Sequence, residues 1–594
     1  MPIYNAPVRD MLFAFYELND GEYLQQLPGF EDVDSETVLA VLEEAGKFAR
    51  EQLLPINRNG DEEGCQWNDG RVTTPEGFKE AYAAFIEAGW NSIAFDPKYG
   101  GQGLPKSLHL MVDEMLSSTN MSFSLYPGLT YGAWTSLEAY ASDEIKDICF
   151  PKLAEGVWSG SMCLTEPQCG TDLGLLRTKA EPLDDGGYSI TGTKIFITAG
   201  DHDLTENIIH LVLARAPDAP EGIKGISLFA VPKMTINGDG TLGEPNNLGC
   251  GSIEHKMGLK ASSTCVMNFD GARGWLVGEQ HKGMRAMFKM MNSERLAVGI
   301  QGLGIAEAAY QNAVDYARER LQGRSPRGRK LPDKPADPLT EHPDVRRMLL
   351  TMRAYTEGSR ALCVRIAQLL DIANKSRDQA ERRQAEGLVA LLTPVIKAFC
   401  SDIGFEMATL GQQIYGGHGY VREHGMEQFV RDARIAQIYE GVNGVQAMDL
   451  VERKLPMNDG KLIQLFLSPV QDYVNDKRGD ERLAEFTGPL DVAARHLKSA
   501  AVTIMESAIE DPAEPGAAAV DFLRLFGLTA LAYEWARAAE IGLRNSVGEE
   551  AVYYKAKVRT ARFFMQRILP QTGSLLAAIS AGSASVMDFD DQAW

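Results

Sequence analysis

Apolar residues recur at three- and four-residue spacing through TVLAVLEEAGKFAREQLLPINRNGD (38–61). They do so again, behind a Thr-Pro start, through TPEGFKEAYAAFIEAGW (74–90). That period lays one apolar stripe along a helix, so residues 1 to about 160 read as mainly helical. Between about 160 and 280 the pattern shortens. YSITGTKIFITAG (188–200), NIIHLVLARA (207–216), ISLFAVPK (226–233) and TCVMNFDGARGWLVG (264–278) are β-branched runs separated by Gly, Pro, Asn and Asp. Such runs predict a mainly antiparallel sheet or small barrel. Helical spacing returns from 283 to 455, where Ala306, Ala309, Tyr310, Ala313 and Ala317 share a face. The segments 343–375, 380–413 and 427–453 are its expected bundle neighbours. SPRGRKLPDKPADPLTEHP (325–343) is the length and composition of a surface connection. KLPMNDGK (454–461) links to an Ala-rich helical stretch, 462–594, broken at EDPAEPG (510–516). The expected class is therefore α+β multidomain. A helical domain spans 1–160, a β-domain 161–282, a helical bundle 283–455 and an added helical domain 462–594.

Composition narrows the partners. The chain has 594 residues, 59 basic and 81 acidic, for a net charge of −22. That balance argues against nucleic acid or an anionic membrane as the general partner. The eight cysteines, at 65, 149, 163, 169, 250, 265, 363 and 400, form no CxxC pair. Neither a zinc ribbon nor a disulfide framework is expected. The first twenty residues carry acidic side chains and lack a basic region before a long apolar core, so no secretory signal is read there. No uncharged apolar run reaches the length of a membrane span. A soluble, cytoplasmic protein is expected.

Five segments could carry chemistry. MCLTEPQCGTDLG (162–174) has the Thr, Pro and Gly of a loop that offers backbone N–H groups to an oxygen-rich ligand, or of an ordinary polar connection. TGTKIFITAG (191–200) reads as a hairpin arm. MNSERLAVG (291–299) sets Glu294 and Arg295 beside an apolar helix face, where an i, i+1 charge pair is usually solvated. RERLQGRSPRGRK (318–330) holds six cations in thirteen residues and could meet a polyphosphate. Arg320 is its sharpest member, because the helix is expected to reach it and hold it rigidly. In QQIYGGHGYVREHGMEQFVRDARIAQIYEGVNG (412–444), GGHG allows close backbone approach, and Glu440 follows an apolar stretch that could bury a carboxyl and raise its basicity. No P-loop, GxGxxG after a strand, HExxH or GxSxG is present. His418 and His424 do not make a metal-ligand pattern, and no metal is expected.

Taken in order, LTEPQCGTD, ITGTKIFIT, ER leading into a YARER helix, QIYGGHGY and RDARIAQIYEG resemble the acyl-CoA dehydrogenase family over roughly residues 40–455. The added N-terminal segment and 462–594 resemble its larger bacterial subgroup. The resemblance implies an α-domain, a β-domain and a four-helix bundle around FAD. It implies that Leu164 and Thr165 bond the flavin pyrimidine edge and that Thr171 lies near FAD phosphate or the CoA arm. Phe196, where the family usually has Trp, would flank the isoalloxazine, and Thr198 would bond near flavin N5. Arg320, Gln413, Gly416 and Gly417 would reach the pyrophosphate of a neighbouring subunit's FAD, which implies at least a dimer. The family's usual base is the Glu of YEG, here Glu440. A minority takes it from the ER position, here Glu294, and Arg295 would be a supporting charge. The implied reaction removes an α-proton and a β-hydride from an acyl-CoA thioester to give a trans-2-enoyl-CoA, with electrons passing to electron-transfer flavoprotein. The implied substrate is 3-methylmercaptopropionyl-CoA, derived from dimethylsulfoniopropionate. A straight-chain fatty acyl-CoA is the alternative, and an oxidase or a silent scaffold the more distant ones. The chain departs from the family at Cys169, at Gln428, and at Val442-Asn443-Gly444, where Thr-Ser-Gln is usual.

Overall fold

The computed structural model describes residues 2–593, which form two compact units. One comprises 47–105 and 119–297, the other 2–46, 106–118 and 298–593.

The first unit is built on a seven-stranded sheet. Thr264–Val277 is the longest strand and pairs antiparallel with Leu248–Ile253, Tyr188–Thr198 and Ile226–Pro232. Lys179–Pro182 joins Tyr188–Thr198 to Asn207–Arg215, and Ile226–Pro232 closes the ring between Asn207–Arg215 and Thr264–Val277. The expected small barrel is what forms. Its strands are mainly antiparallel, except that Trp158–Cys163 and Lys179–Pro182 run parallel to Asn207–Arg215. Trp158–Cys163 carries too many small residues, WSGSMC, and Lys179–Pro182 is too short to show β periodicity, so neither is among the runs read from the sequence. Asn207–Arg215 is buried on both faces, which explains its unbroken apolar run. Ile209, Leu211 and Leu213 join a cluster with the stacked rings of Phe95, Trp134 and Phe150, whose centroids are 4.0 and 3.9 Å apart in sequence along the stack. The alternate Val212 and Ala214 pack with Phe229, Ile197 and Phe269 in a second cluster.

The second unit is helical. The bundle helices are Gly283–Glu319 (from residue 298), Pro343–Lys375, Gln379–Val395 continuing through a π turn into Ser401–Tyr415, and Met426–Ala436. Ala306, Ala309, Ala313 and Ala317 are fully buried, as their spacing requires. The region after 462 supplies Gln464–Lys477, Ala484–Glu510, Glu514–Arg544, Ala551–Phe563 and Gln571–Ile579. It is fused to the bundle rather than appended. Trp535 Nε1 donates to the Ala354 carbonyl at 3.0 Å over Gly358, where an added Cβ would meet that nitrogen at 2.7 Å. Arg360 is 1% exposed and bonds Glu114 at 2.6 Å, Glu307 at 2.5 Å and Asp10 at 2.5 Å. Lys557 adds a bond to Asp10 and one to Glu357 at 2.7 Å. Among the described residues, two helices, 379–420 and 514–544, are long and apolar enough to cross a bilayer, but 78% and 72% of their most apolar stretches lie inside the fold. A helix apolar all round is what a large core also requires.

Candidate active site

In the first unit the site grows from a bulge. Ile197 pairs with Cys265 and Lys194 with Met267, so Tyr188–Thr198 carries one extra residue there and Ile195–Phe196 bulge out. Thr191-Gly192 lies within this strand, not in a hairpin turn. Phe196 takes φ +58° and stands 59% exposed. The displaced Ile195 N–H donates to the Thr165 carbonyl at 2.9 Å, docking the 164–170 loop on the bulge. Lys194, wholly buried, donates to the Leu164 carbonyl at 3.0 Å and to Glu166 at 2.8 Å. Glu166 also accepts from the N–H groups of Arg177 at 2.7 Å and Thr178 at 3.0 Å. Burial alone would raise the Glu166 carboxyl. The Lys194 ammonium, with hydrogen bonds from Lys194, Thr178 and Arg177, outweighs it and brings the group down to about 2.

Leu164, Thr165, Phe196 and Thr198 therefore come together, with Thr171 exposed at the far end of the loop. Lys194 and Glu166 were missed. Their signal was a lysine on the same strand face as the fully buried Ile190, a position that demands a partner carboxylate. An exposed aromatic face beside a pinned polar loop fits the flat ring of a flavin.

Glu294 and Arg295 are not a solvated pair. They are 4% and 9% exposed. Arg295 donates to Asn292 at 3.2 Å. An added Cβ at Gly132 would lie 2.2 Å from Glu294 Oε1, so only glycine leaves room for that carboxyl.

In the second unit, Glu440 sits in a loop that interrupts the expected 427–453 helix. Met426–Ala436 ends, and Asn443–Met448 begins after the turn. Glu440 takes φ +54° and is half-buried. The loop closes where Asn443 N–H donates to the Gln437 carbonyl at 3.1 Å. Tyr439 bonds Gln301.

At the end of the bundle, Tyr316 stacks on Tyr415 with centroids 4.0 Å apart and bonds His418 at 2.8 Å. This gathers Arg320, Gln413, Gly416 and Gly417, all exposed, at one corner. Arg320 lies one residue past the end of the helix, not on it, although its N–H still reaches the Tyr316 carbonyl at 2.9 Å. An added Cβ at Gly416 or Gly417 would meet nothing within 4 Å, leaving their backbone open to a ligand. The basic loop that follows is ordered by buried Asp337, which accepts from the N–H groups of Ser325 at 2.9 Å, Lys330 at 2.9 Å and Leu331 at 2.8 Å. Among the described residues, no three His, Cys, Asp or Glu side chains group as metal ligands, and the eight cysteines are free.

Four family models match the chain in order. They are described as acyl-CoA dehydrogenase, N-terminal domain over 35–157; middle domain over 161–272; C-terminal domain over 281–455; and acetyl-CoA dehydrogenase C-terminal like over 466–590. The chain is 44% identical over 577 residues to the 3-methylmercaptopropionyl-CoA dehydrogenase of Ruegeria pomeroyi, covering 95% of this chain and 96% of that protein. It is 34% identical over 609 residues to a butyryl-CoA dehydrogenase of Syntrophomonas wolfei, covering 100% and 99%. In structure it resembles an acyl-CoA dehydrogenase complexed with FAD from Bacillus anthracis, with TM-score 0.75 at 21% identity, covering 98% and 93%. The chain belongs to the acyl-CoA dehydrogenase family and is an FAD-dependent oxidoreductase of acyl-CoA thioesters.

Proposed function

We propose that this enzyme dehydrogenates 3-methylmercaptopropionyl-CoA in the breakdown of dimethylsulfoniopropionate, in the cytoplasm, as a dimer or larger homo-oligomer, and passes its electrons to electron-transfer flavoprotein. The observation that carries the substrate is the 44% identity, over nearly the whole chain, to the Ruegeria pomeroyi enzyme of that name. The similarity to a butyryl-CoA dehydrogenase supports a second reading, a short straight-chain thioester. The domain bounds of this reading are 1–160, 161–282, 283–455 and 462–594, and it has neither nucleic acid nor membrane as a partner.

Glu440 is the base. Its place in a half-buried loop with φ +54° supports this, whereas the Glu294 carboxyl is 4% exposed and wedged against Gly132. A thioester α-proton is too weakly acidic for a hydrated carboxylate. A thioester that excludes water on binding strengthens the Glu440 carboxylate as it arrives. The Glu440 N–H donates to the thioester oxygen and stabilises charge developing there. FAD, when bound, supplies the acceptor for the β-hydride. Leu164 and Thr165 would hold the flavin pyrimidine edge, Phe196 its ring face and Thr198 the region of N5. Thr171, Arg320, Gln413, Gly416 and Gly417 would hold phosphates, and Arg295 would be a supporting charge.

The test is an anaerobic titration of the purified flavoprotein, read in the flavin band. Bleaching at stoichiometric 3-methylmercaptopropionyl-CoA supports the substrate. Bleaching by butyryl-CoA alone would move the assignment to straight-chain thioesters. A Glu440→Gln protein that binds FAD and keeps full turnover would transfer the base to Glu294.

A further inference from the structure

We infer that Asp402, Asn443 and Gln437 form a clamp that sets the position of the Glu440 loop, making Asn443 and Gln437 positioning residues for proton abstraction. The inference rests on Glu440 being the base.

The loop needs such a device. A glutamate in the left-handed region is strained, because its Cβ crowds the backbone there. Apolar packing does not hold the loop either. Ile438 and Val442 are 49% and 40% exposed and border a cavity of about 280 Å³ that Val520 and Arg524 of the added domain also line. Polar contacts hold it instead, and they converge. The Asn443 and Gln437 side-chain amides both donate to the same oxygen, Asp402 Oδ1, each at 2.7 Å. The two ends of the loop are thus pinned to one atom, and the backbone bond between them closes it.

The other amide atom of Asn443 is used as well. Its Oδ1 accepts from Lys397 Nζ at 2.8 Å, and Lys397 is wholly buried. The sequence explains why that face of the helix reaches the loop. Pro394 sits within the 379–395 helix, and the turn just after it, Ile396–Cys400, widens to π geometry. The widened turn delivers Lys397 to Asn443, along with the Ala398 carbonyl, which accepts from Asn443 Nδ2 at 3.2 Å. No shorter or apolar residue at 443 could make these contacts. The clamp is therefore a property of this chain's Val-Asn-Gly sequence after the glutamate.

The experiment compares three variants of the FAD-loaded enzyme: Asn443→Ala, Gln437→Met and Glu440→Gln. Turnover is followed against pH, with flavin content and thermal stability measured alongside. Displacing a base by an ångström costs up to about a hundredfold, so Asn443→Ala should keep its FAD and KM but lose about tenfold to a hundredfold in kcat. A loosened loop also hydrates the carboxylate. The acid limb of kcat/KM should then move, which a purely structural role would not produce. Should Asn443→Ala not fold, Gln437→Met removes one of the two donors and reports the same quantities. Unchanged kcat and pH profile in these variants, with Glu440→Gln inactive, would overturn the clamp while leaving the base in place. Full turnover by Glu440→Gln would instead overturn the base assignment and the clamp with it.

Discussion

Replacing Lys194 by methionine separates the ion pair beneath the Leu164–Thr165 loop from the packing around it, because methionine keeps most of the apolar stem. The magnitude follows from Glu166. Its carboxyl lies at about 2, against an ordinary 4.5, although burial opposes the shift. That lowering stabilises the ionised, folded state, although burial lowers the Lys194 ammonium in turn and takes back part of the gain. Without the ammonium, burial prevails and leaves an uncompensated charge, so the total loss is about 3–5 kcal/mol. The sign with pH is fixed. In the natural protein the folded-state value is lowered, so the contribution is present above the ordinary value and fades as pH falls toward about 2. In the variant the folded-state value is raised, so the ionised carboxylate destabilises, and acidification relieves it by protonation. The gap between the two proteins is therefore widest near neutrality and narrows as pH falls. Amide hydrogen exchange across residues 164–178, with thermal release of flavin, reads it at several pH values. Adding Glu166→Gln to Lys194→Met should recover part of the loss, since it removes the orphaned charge. A gap below about 1 kcal/mol at neutral pH, or one that does not narrow on acidification, would refute the reasoning.

Arg360→Met strips the cation from Asp10, Glu114 and Glu307 and should cost about 3–5 kcal/mol in chemical denaturation. Burial already holds Glu114 at about 7, so part of that loss should return as pH falls and the acid takes up a proton. Phe196→Ala removes a side chain that is 59% exposed, so stability should hold within about 0.5 kcal/mol while FAD affinity, by equilibrium dialysis, falls roughly tenfold. Gly132→Ala places a methyl 2.2 Å from Glu294 Oε1. It should lower the thermal midpoint by an overpacking cost of about 1–3 kcal/mol without loss of flavin, read by scanning calorimetry.

What the sequence disclosed depended on period. The bundle helices were legible because Ala306, Ala309, Ala313 and Ala317 repeat on one face, and Pro343–Lys375 begins at its proline and ends at its lysine as read. The Trp158–Cys163 strand was not, because small residues buried on both faces leave no alternation. The end of the Gly283–Glu319 helix was misjudged by a single residue at Arg320, within the usual fraying of helix ends. Glu294–Arg295 misled because an adjacent charge pair reads as solvated, and its burial depends on a glycine more than 160 positions earlier in the chain, Gly132. The Asp402 clamp was out of reach for the same reason. Its members are 35 and 41 residues apart, and nothing local marks Asp402 as their partner.

Backbone strain carries information that the sequence hides. Ten described non-glycine residues take a left-handed φ, and six of them are Asp, Asn or His, whose short polar side chains tolerate it in turns. The remaining four are Phe196, Ala199, Leu259 and Glu440. Phe196 and Ala199 bracket Thr198, and Glu440 is the proposed base. Left-handed backbone at residues that gain nothing from it persists only where the surroundings over-determine it. At Phe196 those surroundings are the bulge, the Ile195 bond to Thr165 and buried Lys194. At Glu440 they are the two amides on Asp402. At Phe196 the buried charge of Lys194, two positions away, and at Glu440 the half-buried charge of Asp402, facing its loop, hold the neighbouring backbone while the residue itself stays accessible. A reacting surface needs that division: the side chain must meet a ligand, so the rigidity has to come from groups the ligand never touches.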